Sequence, residues 1–143
     1  MEELHVEDRI DKRNAEGYMD MTAYEAISAA DARKFSFRPI IYVCSPFSGD
    51  IEGNLKKARQ YSRFVVDEGG IPLTPHLYLP QFMKEETERE LAMFMDLALL
   101  SKCAELWAFG DEISPGMQVE IDRAQHKGMP VRFVSKEEVK CTK

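Results

Sequence analysis

From residue 40 to residue 134 the chain alternates. Short apolar runs at 40–44, 71–74, 105–109 and 130–134 are separated by segments with helical spacing at 54–68, 85–102 and 117–127. No other feature restricts the possible folds as tightly. The first run, IIYVC, is apolar throughout, as suits a strand covered on both faces. In the following segment Leu55, Ala58, Ser62 and Val65 share one side, and Gly69-Gly70 closes it. Pro72 weakens the second run as an interior strand and suits an edge. Strands alternating with helices predict an α/β fold, a three-layer sandwich around a small parallel sheet of the Rossmann or flavodoxin-like kind. Crossovers in such sheets are right-handed. A strand order 2-1-3-4 places the switch point between the first and third strands, where ligands bind beyond the carboxyl ends. The loops "SPFSGD" and "GDEISPG" would meet there.

Residues 1–36 differ from this pattern. They are dense in charge and lack an apolar strand, and are expected to form an N-terminal appendage to a domain over 37–143. A helix over 23–33 is expected within it, since Thr22 and Glu25 have capping-box spacing. The appendage would rest on the domain or on a partner subunit. A chain of 143 residues is long enough for one domain with a substantial core. A net charge of −6 argues against a broad surface for nucleic-acid polymers or anionic membranes. No apolar run reaches spanning length, and the charged N-terminus does not read as a signal peptide. Cys44, Cys103 and Cys141 form neither a CxxC pair nor a disulfide framework, so a reducing, cytoplasmic setting is expected. Cys44 and Cys103 sit in apolar context and read as core residues.

Two loops and one helix carry the candidate chemistry. "SPFSGD" offers Ser45, Ser48 and Gly49 just before a helix, where backbone amides and hydroxyls can hold an anion or a sugar. Ser48 or Asp50 equally suits a turn or cap. In "ISPGMQVEI", Ser114 is a good N-cap, Pro115 fits the first helical position, and Gly116 and Met117 begin the helix. Glu120 follows a little over one turn later, where a carboxylate gains from the helix dipole; the alternative is a solvated surface glutamate. Asp96 lies inside "LAMFMDLALL". It is either a solvent-facing residue or a carboxyl at the edge of an apolar wall, whose raised pKa would suit a proton donor. His76, in "TPHLYLP", can border the same crevice or serve only in packing. Tyr42 and Phe47 can flank a flat ring, although aromatics are more commonly core. His5 and His126 stand far from His76 in sequence, so neither a metal nor another cofactor is expected.

These segments together resemble the nucleoside 2-deoxyribosyltransferase-like superfamily, which includes 2'-deoxynucleoside 5'-monophosphate N-hydrolases and small phage-associated members. The resemblance covers roughly residues 38–134. "IIYVCSPFSGD" is similar to that family's first strand and loop, "MDLALLSKCAELWAFG" to a helix–strand segment led by an aspartate, and "SPGMQVEIDRA" to the helix bearing its catalytic glutamate. The resemblance implies that Glu120 is the nucleophile and that Asp96 binds or protonates the leaving base. Ser114 and Gly116 would line the sugar or phosphate side, with the first loop opposite. It implies cleavage or transfer at the N-glycosidic bond of a (deoxy)nucleoside or nucleoside monophosphate, and a homo-oligomer. Pro46 and Ser48 stand where the hydrolase branch has a serine and an arginine for the 5'-phosphate, which leaves nucleoside and nucleotide both open. The alternative is a non-catalytic module binding such ligands on the same scaffold. A flavin-binding flavodoxin fits less well, because its phosphate loop is longer and richer in Ser and Thr.

Overall fold

The computed structural model describes residues 37–141; the expected helix over 23–33 and its capping box lie outside them. Contacts divide the chain into Met1–Arg38 and Pro39–Lys143, and the second unit holds every element described below. Strands β1 (Ile40–Cys44), β2 (Ile71–Leu73), β3 (Glu105–Phe109) and β4 (Val131–Val134) form one sheet. All three pairings are parallel, and the order is β2-β1-β3-β4. The fold is therefore the expected α/β sandwich of flavodoxin-like type, with β1 and β3 adjacent.

The period of two along each strand sorts the core into two layers. Tyr42 and Cys44 of β1 and Leu106 and Ala108 of β3 point to one face. There they meet Leu100 of helix α3 (Glu85–Leu100) and Met117, Ile121 and Ala124 of helix α4 (Pro115–His126). Ile41, Val43, Trp107 and Phe109 point to the other face, against Tyr61, Phe64 and Val65 of helix α1 (Ile51–Asp67). The Tyr61 and Phe109 rings stack there at 4.6 Å. Arg132 of β4 lies over the Trp107 ring at 4.4 Å and forms ion pairs with Glu68 and Glu138.

Local chemistry explains where boundaries depart from the sequence reading. Helix α1 begins at Ile51, not at 54, because the Asp50 side chain accepts a hydrogen bond from Gly53 N at 3.1 Å and caps it there. Helix α4 begins at Pro115, capped by Ser114. Strand β2 stops at Leu73, since Pro75 opens a short helix α2 (Pro75–Tyr78) that runs on into a 3₁₀ turn (Leu79–Gln81). The stretch read as a loop is therefore mostly helical turns. A closing helix α5 (Lys136–Cys141) has no counterpart in the sequence reading; Val139 is the apolar residue it packs on the core. Among the described residues no helix is long and apolar enough to cross a membrane.

The Gly69-Gly70 pair ends α1 and turns the chain into β2. Gly69 has φ +97°, and Gly70 N donates to Val65 O at 2.9 Å. A Cβ on Gly70 would stand 2.8 Å from Ile41 Cγ1, so the second glycine is required by close approach to β1.

Candidate active site

Helical spacing buries both candidate carboxyls. Glu120 lies three residues after Met117 and four before Ala124, and so falls on the face of α4 that is turned to the sheet. Asp96 lies four residues before Leu100, on the buried face of α3. Glu120 is 2% exposed and Asp96 5%. Their side chains reach one cavity of about 190 Å³ beyond the carboxyl ends of β1 and β3. That is below the ~300–1,000 Å³ of sites for drug-sized ligands and suits a compact one.

Tyr42 holds the first of these groups. Its hydroxyl donates to Glu120 Oε2 at 2.6 Å from the floor of the sheet. Burial pushes the Glu120 carboxyl up to about 6, while hydrogen bonds from Tyr42 and Cys44 pull it down. Burial, then the charges of Glu120 and Glu85, push Asp96 up to about 7. Burial also drives His76 down to about 4, which leaves its imidazole neutral near pH 7. Tyr42 is raised well above 10, first by burial and then by Glu120, and remains a hydrogen-bond donor.

The helix start beside the cavity is ordered by its own residues. Ser114 Oγ accepts from Met117 N at 3.2 Å. A methyl on Gly116 would meet Met93 Cε at 3.8 Å, an ordinary contact, so this glycine leaves space in the cavity rather than avoiding a clash. On the opposite side Asn54 Nδ2 donates to the carbonyls of Phe47 and Ser48 at 3.1 and 3.0 Å, which pins the first loop. The Phe47 and His76 rings sit 5.2 Å apart, tilted by 49°.

A sequence-family model described as "Domain of unknown function (DUF7768)" matches residues 39–134, from the start of β1 to the end of β4. The chain belongs to the DUF7768 family. No curated protein matches it. Among solved structures, a 2-deoxyribosyltransferase from the psychrotolerant bacterium Bacillus psychrosaccharolyticus superposes with a TM-score of 0.54 at 22% identity, covering 67% of this chain and 72% of that one. That enzyme is described as a biocatalyst for the synthesis of antiviral and antitumoral nucleosides. At this identity the likeness is one of fold.

In this DUF7768 chain, Ser45, Phe47, Ser48, His76, Asp96, Ser114, Gly116, Met117 and Glu120 all line the cavity. Two residues expected there do not. Tyr42 lies beneath, reaching the site only through Glu120. Gly49 serves the turn before α1, with φ +94° and open space around it. Sequence reading missed one whole wall, formed by Leu79, Pro80, Met83, Lys84, Glu85 and Arg89. Pro75 and Pro80 mark turns in the sequence, but nothing local says that those turns fold back over Asp96. Likewise, a search for His and Cys spacing could not show that His76 meets two carboxyls from other helices. The donor atoms of His76, Asp96 and Glu120 lie within 4.8 Å of one another.

Proposed function

We propose that this crevice cleaves or transfers at the N-glycosidic bond of a (deoxy)nucleoside or its 5'-monophosphate. One observation carries the reading: two buried carboxyls from different helices share one cavity, and a strand tyrosine orients one of them. Glycosyl chemistry through an oxocarbenium-like transition state needs a nucleophile and an acid, with affinities for the proton set apart by their surroundings. Glu120 is the nucleophile. Its free oxygen attacks C1', the C1'–N bond breaks, and that bonding pair leaves with the base. Asp96 supplies the proton that neutralises the departing nitrogen. Water, or the nitrogen of a second base, then attacks C1', releases Glu120 and returns a proton to Asp96. Phe47 and His76, which line the cavity, would flank the base, and Ser45, Ser48 and Ser114 would meet sugar hydroxyls. The likeness in fold to a 2-deoxyribosyltransferase supports the same reading.

The test is release or exchange of base from deoxynucleosides and their monophosphates, with mass spectrometry of the protein for a trapped glycosyl adduct. Glu120→Ala should abolish turnover and the adduct. Asp96→Asn should slow turnover by about 10²–10⁴-fold, most for bases that leave poorly. Turnover indifferent to Glu120→Ala would refute the mechanism, and binding without cleavage would mark a ligand-binding module.

A further inference from the structure

We propose that the crevice also binds a single divalent late first-row metal ion, zinc above all, through a ring nitrogen of His76 and one oxygen each of Asp96 and Glu120. The three donors come from three elements, α2, α3 and α4, and lie within 4.8 Å of one another. A second observation is independent of this proximity. His76 Nδ1 and Asp96 Oδ1 are both buried without a hydrogen-bond partner, and Asp96 is only 5% exposed. Buried polar atoms in folded proteins are paired in the large majority of cases. Two residues of the cluster thus carry an orphan atom, as does Ser45 through its Oγ at the same cavity, which points to a bound ligand. Among the described residues no ion pair reaches Asp96 or Glu120; Arg89, at the same cavity, pairs with Glu85 at 2.7 Å.

The donor set selects the ion. Zinc takes nitrogen and oxygen at about 2.0–2.2 Å in a tetrahedron, so its ligands stand roughly 3.3–3.6 Å apart. Donor atoms no more than 4.8 Å apart reach that spacing by closing at most about 1.5 Å, within the compass of small torsional changes. Three protein ligands leave a fourth position open to the cavity. One imidazole with two carboxylates is a borderline set: too few oxygens for calcium, and too rich in nitrogen for magnesium. The Tyr42 hydroxyl on Glu120 Oε2 already fixes the orientation of that carboxylate, the role outer partners play around metal ligands.

The ion would occupy the oxygens that glycosyl transfer requires, so metal and substrate exclude each other and zinc acts as an inhibitor. The site itself stands on geometry alone, and its readout needs no turnover. The test is a titration of the chelator-treated full chain with Co²⁺, read by its visible d–d absorption. One Co²⁺ per chain should bind with the strong band of a four- or five-coordinate ion, and Zn²⁺ should bleach it. His76→Ala and Asp96→Asn should each weaken binding by about tenfold or more. His126→Ala, on the exposed side of α4, should leave it unchanged. Asp96→Asn preserves shape and decides the matter if His76→Ala fails to fold. Cobalt that keeps its pale octahedral aquo spectrum, or a folded Asp96→Asn chain with undiminished affinity, overturns the proposal. Base cleavage in the absence of cobalt binding would leave the glycosyl reading intact, and cobalt binding without cleavage would do the reverse.

Discussion

Glu120 and Asp96 face the same cavity but not the same surroundings, and that difference sets the pH at which they can act together. In the proposed mechanism Glu120 is ionised to attack and is held near 6, and Asp96 is protonated to donate and is held near 7. The rate should therefore be bell-shaped with a narrow optimum between those values. The limbs belong to the interacting pair rather than to either residue. A pH series of base release checks this, and Asp96→Asn should remove the alkaline limb. The same shift has a sign for stability. A carboxyl whose folded pKa is raised from 3.8 to about 7 stabilises the fold at low pH and loses that contribution as pH climbs from about 4 through 7. Urea unfolding should show wild type weakening between about pH 4 and pH 7. Asp96→Asn should flatten that fall, and at pH 8 be the more stable chain by roughly 1–4 kcal/mol. Greater stability with less activity is the expected mark of a functional group kept in an unfavourable place. Both carboxyls were visible in the sequence as polar residues within apolar helical stripes. What it could not reveal was that they meet, because 24 positions and a strand separate them.

The start of α4 was legible for a chemical reason. Ser-Pro-Gly at the start of α4 names a cap, a proline at the first helical position and a small residue in one short string. Ser114→Ala should cost about 1 kcal/mol in chemical denaturation by removing the acceptor for Met117 N. It should also lower turnover more than this loss implies, since Glu120 stands in the next turn of the same helix. The short helix α2 was not legible. Four residues are too few to display a helical period, and a pair of prolines reads as loop. His76 and the missed wall of the cavity depend on that turn, so the error at the level of an element became an error at the level of the site. Helix α5 escaped for a similar reason, having a single apolar residue against the core.

The architecture as a whole was legible from alternation alone, because a parallel sheet with short connections leaves few ways to order four strands. The strands and the buried residues of both core layers lie within 40–134. We propose a domain boundary near residue 36. A chain beginning near Phe35 should unfold cooperatively on heating, and a non-cooperative melt by circular dichroism would move the boundary. The alternation of β1 carries a wider implication. Ile41 and Val43 anchor this strand in one layer, while Tyr42 and Cys44 reach from its other side toward Glu120. The Glu120 carboxylate thus takes its alignment from the central strand and not from a loop that could be exchanged. Homologous scaffolds often diversify by swapping loops over an unchanged frame. On the proposed mechanism the frame itself is part of the reagent, so natural drift in the packing of the four strand residues Ile41 to Cys44 would surface as altered kinetics before it surfaced as misfolding.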